Sequence, residues 1–492
     1  MTGKAAAGPP EESYAFYMAL TDAIMVLCAR VRREDPAQLF YDGIDLSHAF
    51  EAAAYFGCIH DPGLLSLFAD RQDVSAAAKL QSQLARVLAI ESFASGAALR
   101  AVRRRSRLLK MLRAVKRAGQ LPRHGAGPPA AERLAAPVLL YARSVRFARF
   151  LRPVAESLRG ECAFLVPAQE AACAALIREW NFPLLRYGPA TLPRGTMGRL
   201  IDDCGRHLAS EAQALRDALA KADTRLVVVP EGNSPDDETL ARVARQRGIA
   251  SACIQQGWSP ILHPGFRNMR YDDFLVWGDG FAELLAPANS GQHFTATGNF
   301  NLSAACANAG LGVLFFFQGF DNWLGGRASA EAMLNLAEQT AKALPATPVF
   351  VRPHPTVPFP AQVCARLQQC PNIRIEKSSD VALAEAIGKV RVSVSAYSTT
   401  ILESIAAGVV PLVFNTTDIP RYWPDVAAVG AGLEIRDPDA ALAALVRLLG
   451  EDGYLASFRH PMADFTRRFF RTLGEGALAA TAAVLRKRAG LG

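Results

Sequence analysis

The sequence predicts an α/β protein: two tandem Rossmann-like, doubly wound domains preceded by a helical N-terminal region. Three observations carry this. From Pro137 onward, apolar runs too short for helices alternate with helical segments, the pattern of a parallel sheet covered on both faces. The rhythm stops and restarts after Asn299-Phe300-Asn301. The chain has 492 residues, 50% of them hydrophobic and 20% charged, enough apolar material for more than one core and incompatible with a disordered or fibrous chain. The expected division is residues 1–130 as the helical region with a basic segment and linker, 131–305 as the first Rossmann-like domain, and 306–492 as the second.

The elements follow in order. Tyr14–Arg32 spaces Phe16, Leu20, Ile24 and Leu27 helically, and Ala76–Leu99 is similar. Arg123–Ala130 is rich in Gly and Pro and reads as a linker. The first domain shows strands at Val138–Tyr141, Ala163–Val166, Leu226–Val229 and Ser251–Ile254, with Phe274–Trp277 expected as the last. Helical segments Leu208–Lys221 and Asp237–Arg247 lie among them. In the second domain the strands are Val313–Phe317, Val349–Val351, Ile373–Ile375, Val390–Ser395 and Val410–Phe414. Its helices are Glu331–Leu344, Val381–Ile387 and Thr400–Ala407, and a last helical region ends the chain. Ligands of such folds sit beyond the carboxyl ends of the strands, here in a cleft between the domains.

The formal charge of +8 is local. Between Glu91 and Glu132 there is no acid, and the ten basic residues there outweigh the whole surplus. Arg103–Arg117 carries Leu108, Leu109, Met111, Leu112 and Val115 among its charges, which suits either an anionic membrane surface or a solvated helix packed by its leucines. The absence of aromatic residues between Arg100 and Arg123 argues against nucleic acid. Nine scattered cysteines, with no CxxC or Cys/His cluster, argue for reduced thiols and against a disulfide scaffold or a structural zinc. Met1–Glu12 has no apolar signal-like core, and no apolar run reaches about 18 residues. A cytoplasmic protein is expected, able to rest on the inner face of the cytoplasmic membrane.

Polar residues recur just after predicted strands. Ser398-Thr399-Thr400, with Glu403 one turn later, opens a helix, either as a phosphate site with Glu403 toward a ribose hydroxyl or as a capping arrangement. His354, between Pro353 and Pro355 and after Arg352, has little backbone freedom; it is a phosphate donor or a residue of a rigid loop. Pro230-Glu231-Gly232 sets a carboxylate at a strand end, as general base or acid, or as a turn residue. Asp236, Asp237 and Glu238 read as helix cap and dipole partners. Gln318-Gly319-Phe320-Asp321-Asn322 follows the first strand of the second domain; its acid is a nucleophile, a sugar-hydroxyl acceptor or a turn residue. Gln255-Gln256-Gly257-Trp258 also ought to line the cleft.

Over residues 136–450 the pattern resembles GT-B-fold glycosyltransferases that use CMP-activated ulosonic acids. Glu231-Gly232, His354-Pro355 and Ser398-Thr399 resemble the acidic-Gly, His-Pro and Ser-Ser/Thr motifs of bacterial sialyltransferases of that fold, although Pro230 stands where a leading acid is usual. Asp321 is similar in position to the Asp of the retaining β-Kdo transferases of capsule and O-antigen synthesis. The resemblance implies CMP on the second domain near His354, Ser398 and Thr399, Asp321 as nucleophile, and Glu231 as acid–base group toward a glycan or lipid-linked glycan acceptor. It implies a CMP-sugar as substrate, with no metal or other cofactor. Arg327 and Arg352 are candidates for the sugar carboxylate. Alternatives are an inverting CMP-sialic acid transferase, a CDP-polyol phosphotransferase, and a non-catalytic glycan-binding protein.

Overall fold

The computed structural model describes residues 14–34, 36–59, 133–188, 200–259, 262–302, 310–320, 326–355, 357–377, 380–417, 419 and 424–491. The segment 76–99, the basic segment 100–123, the linker, Asp321 and Asn322 lie outside these residues.

The first sheet contains β3 (Val138–Tyr141), β4 (Cys162–Pro167), β5 (Leu184–Tyr187), β6 (Leu226–Pro230), β7 (Ala250–Ile254), β8 (Asp273–Val276) and β9 (Phe294–Ala296). These follow a small antiparallel pair, β1 (Phe40–Tyr41) and β2 (Ile44–Asp45). The spatial order is β5-β4-β3-β6-β7-β8-β9, with every pairing parallel. Its strands are apolar on both sides because both faces are covered. Leu139, Tyr141, Val227 and Val229 enter one core, while Val138, Leu140, Leu226 and Val228 enter another. Covering helices include α3 (Val145–Ser157), α4 (Ala171–Glu179), α5 (Leu200–Leu219), α6 (Pro235–Gln246) and α7 (Asp279–Leu285).

The second sheet contains β10 (Gly312–Phe316), β11 (Val349–Arg352), β12 (Ile373–Ile375), β13 (Val390–Ser395), β14 (Val410–Phe414) and β15 (Leu433–Ile435). Its order is β12-β11-β10-β13-β14-β15, again all parallel. With α8 (Gly326–Ala343), α9 (Ala361–Leu367), α10 (Leu383–Gly388) and α11 (Thr400–Ala406), it forms a second doubly wound unit. Both sheets reverse winding next to their first strand, between β3 and β6 and between β10 and β13. That reversal opens a crevice at the carboxyl edge of each.

The chain ends with α12 (Pro438–Gly450), α13 (Asp452–Ala456), α14 (Arg459–Phe469) and α15 (Gly474–Arg488). The last of these returns to the first sheet. Ala482 and Leu485 are buried in its core, Arg486 Nε donates to Glu161 at 2.8 Å, and Arg488 pairs with Asp273. Trp277 stacks on Phe470 at 5.4 Å at the crossing. At the other end, α2 (Ser47–Ile59) lies on α5 and α6 and α1 (Tyr14–Glu34) packs on α2, so Leu20 and Ile24 share a core with Leu208 and Leu240.

Phe274–Trp277 was expected to be the last strand of the first domain, and the structure adds β9 beyond it. That strand spans three residues of intermediate exposure, so it has no continuous apolar run to announce it.

Candidate active site

On the first sheet, adjacent strands β3, β6 and β7 end in Tyr141, Pro230 and Ile254. The loops beyond them carry Arg143, Glu231 and Gln256. Glu231 has φ +68°, a left-handed backbone uncommon outside glycine, and Gly232 follows at φ +71°. This turn is pinned: Glu231 N donates to Ile254 O at 2.8 Å, and Tyr271 Oη donates to Gly232 O at 3.0 Å. A Cβ on Gly232 would lie 2.3 Å from Cys253 Sγ, so the Glu-Gly pair meets a local steric demand.

Arg143 Nη2 donates to Glu231 Oε2 at 3.0 Å and lies 3.8 Å from Asp237 Oδ2. Its guanidinium stacks over Phe147 at 4.4 Å. Desolvation works against its charge, but Asp237 and Glu231 outweigh that and hold its pKa above the ordinary value. Asp237 is fully buried with both carboxylate oxygens unbonded; burial raises its pKa to about 7 against the pull of Arg143. The helix cap here is Ser234, whose Oγ accepts from Asp237 N at 3.2 Å, while Glu238 is a buried ion-pair member. Two of the three acids expected as cap and dipole partners are therefore interior groups, placed there because α2 covers this end of α6.

On the second sheet the carboxyl edge presents, in spatial order, His354 after β11, Gln318 after β10 and Ser398 after β13. His354 is half-buried. Desolvation lowers its pKa, and the charge of Arg146 of the first domain lowers it further. Arg146 itself donates to Gln256 Oε1. Thr399 joins the two domains: its Oγ1 donates to Trp258 O and accepts from Trp258 N, both at 3.0 Å. Ser398 Oγ accepts from Thr400 N at 3.2 Å, while Thr399, at the N-cap position of α11, makes no side-chain cap. Glu403 lies one turn on, on the face of Thr399, and desolvation raises its carboxyl to about 7. Pro355 is exposed beside His354.

Between β10 and β13, at the winding reversal, a shallow recess is lined by Phe317, Gln318, Gly319, Ser329, Ala396 and Tyr397. Arg352 turns away from this edge. Its side chain is buried, Nη2 donates to Val381 O at 2.8 Å, and Nη1 lies 4.0 Å from Glu376. Arg327 is exposed on the first turn of α8.

The structure thus gathers Glu231, Gly232 and Gln256 on one wall and Gln318, His354, Pro355, Ser398, Thr399, Thr400 and Glu403 on the other, fastened at Thr399–Trp258. Arg143, Arg146 and Asp237 were not anticipated. The arginines had a signal, since they follow the strand Val138–Tyr141 as the other site residues follow theirs. Asp237 had none, because Ser-Pro-Asp-Asp-Glu reads as an ordinary helix start. Among the described residues no group of three His, Cys, Asp or Glu side chains is placed to hold a metal ion.

Two Rossmann-like parallel sheets facing each other across a cleft define the GT-B architecture. No family model matches the chain, and no curated protein does. Among solved structures it is similar to a UDP-N-acetylglucosamine 2-epimerase, with 12% identity, TM-score 0.50, and coverage of 72% of this chain and 96% of that one. The glycosyltransferase of kitacinnamycin aligns at 13% identity and TM-score 0.49, over 72% and 99% of the two chains. The UDP-GlcNAc 2-epimerase from Neisseria meningitidis bound to UDP-GlcNAc aligns at 14% and 0.47, over 71% and 100%. At such identities the likeness is one of fold.

Proposed function

We propose that this chain is a GT-B glycosyltransferase that moves Kdo from CMP-Kdo to a surface-glycan acceptor, with retention. The observation that supports it most is the pairing of unlike walls. A strained, arginine-held Glu231 stands on one side, and His354 with the Ser398–Thr399 turn stands on the other. The CMP-Kdo assignment rests on the motif resemblance.

In this reading CMP lies on the second domain, with its phosphate at His354 and Ser398 and its ribose toward Glu403. Asp321 attacks the anomeric carbon, and the bonding pair leaves with the CMP phosphate. Glu231 then takes the proton of the acceptor hydroxyl as that oxygen displaces Asp321. Two inversions give retention. Thr399, whose hydroxyl is engaged by Trp258, also sets the spacing of the walls.

Intact-mass analysis of Glu231→Gln after incubation with CMP-Kdo is expected to show a Kdo adduct on Asp321. No adduct, with an active Asp321→Ala enzyme, turns the reading to inverting transfer. Release of nucleotide from CMP-Kdo, CMP-sialic acid, CDP-polyol and UDP-sugar donors identifies the donor. A chain that binds no nucleotide by calorimetry is not a transferase.

We also propose that residues 100–123 rest on anionic membrane. Neutralising Arg103, Arg104, Arg105 and Arg107 is expected to weaken liposome binding, by about 1 kcal/mol per charge at the surface, while turnover of a soluble acceptor stays unchanged. Unchanged liposome binding removes the membrane role.

A further inference from the structure

We infer that His48, on α2 of the N-terminal helical region, is a positioning residue for Glu231, acting through the backbone on both sides of the Glu231 turn. The inference rests on the reading of Glu231 as the acid–base group.

His48 is buried between two acceptors. Its Nε2 lies 2.9 Å from the carbonyl of Pro264, and its Nδ1 lies 3.3 Å from Glu238 Oε1. The Pro264 carbonyl requires a proton on Nε2, while Nδ1 faces the Glu238 carboxylate at ion-pair distance without hydrogen-bond geometry. Each partner belongs to a segment that touches the Glu231 turn.

Pro264 begins a short 3-10 turn, Pro264–Phe266. Within it Gly265 packs so closely on Asn233 that a Cβ would lie 2.0 Å from the Asn233 carbonyl oxygen. Asn233 directly follows Glu231-Gly232. Glu238 lies in the first turn of α6, capped by Ser234, and is held from its other side by Arg242. One ring thus ties the loop that presses on the turn to the helix that leaves it. With the turn in a left-handed conformation, both anchors bear on where the Glu231 carboxylate stands.

A buried ion pair is a poor source of net stability, since desolvation offsets most of the attraction. Fixing geometry accounts for it better. The charged groups around His48 are Glu238 and Arg242 of α6, Glu51 of its own helix with Arg32 of α1, Asp45 before α2, and His263 and Arg267 on the Pro264 side. Desolvation alone would lower the His48 pKa; Glu238 and Glu51 hold it above the ordinary value, in keeping with a charged ring.

The test compares His48→Gln and Glu238→Gln with Glu231→Gln, alone and combined. Each single change at 48 or 238 is expected to lower kcat for CMP-Kdo turnover by about 10- to 100-fold while leaving the CMP dissociation constant within about twofold. The double variant His48→Gln/Glu231→Gln should be no slower than Glu231→Gln alone, because both remove one function. A folded His48→Gln protein with unchanged kcat, or losses that multiply, overturns the inference. Carbon-13 NMR of the wild-type protein decides the case in which the variants do not fold. The Glu231 carboxylate signal should move with the titration midpoint of the His48 ring, and independent titration overturns the inference. If wild-type protein neither binds CMP nor turns over CMP-Kdo, the proposed function falls, and the NMR result still decides the role of His48.

Discussion

The two sheet edges that face each other are built on one topology and carry opposite chemistry. The first is dense in charge: Arg143 stands between Glu231 and Asp237. The second carries an uncharged imidazole at His354, the hydroxyls of Ser398 and Thr399, and Glu403, whose carboxyl is raised to about 7 by burial. A wall of coupled acids and a guanidinium can hold and pass protons. On the second wall the imidazole and the Ser398 hydroxyl are groups that can donate to a phosphate, while the Thr399 hydroxyl donates to Trp258. In the proposed reading, this difference puts acceptor chemistry on the first domain and the leaving group on the second.

Glu231→Gln tests the first wall most severely. Loss of a general acid–base group should reduce kcat by about 10²- to 10⁴-fold with nucleotide affinity preserved. A comparable loss of affinity would mean the walls are not specialised. His354→Ala should do the reverse, weakening nucleotide binding about 10- to 100-fold, as for a hydrogen bond to a charged group. The two effects, read by kinetics and calorimetry, should add if the walls act separately.

The depressed pKa of His354 gives a sign. Its ring is neutral above its ordinary value of 6.5, and a bound phosphate favours the protonated form. Nucleotide affinity should therefore rise as pH falls below about 6.5, and that rise should vanish in His354→Gln. Gly232→Ala, which meets Cys253 and keeps a left-handed φ, should cost about 1–3 kcal/mol in denaturant unfolding.

Asp237 gives the effect most confined to one pH window. Its carboxyl moves from an ordinary 3.8 to about 7, so its favourable contribution is complete below about 4 and is lost as pH rises through about 7. Asp237→Asn should flatten the stability profile across that window. A profile identical to wild type would show that burial does not raise the Asp237 carboxyl.

Much of the architecture could be read from the chain. β3 and β14 begin and end where their apolar runs do, because strands buried on both faces leave no polar residue to blur the limits, and β12 and β13 keep their expected bounds although they carry Arg374 and Arg391. β5, β9 and β15 escaped notice. They pair on one side or lie near an edge, and their residues are mostly half-exposed. Among site residues, those beyond strand ends were legible by position. Arg352 was not. It is the last residue of β11, so its side chain leaves along the sheet face toward Glu376 and Val381, whereas His354 stands past the strand.

The sequence by itself determined two doubly wound domains and which polar residues stand just past their strands, because periodicity and punctuation act over a few neighbouring residues. Tertiary structure alone decided that α15 returns to the first sheet, that Thr399 fastens Trp258, that Arg143 unites Glu231 with Asp237, and that His48 reaches both Pro264 and Glu238. Each of these joins residues far apart in the chain or turns on burial. Only packing sets the distance between such groups and the water they lose.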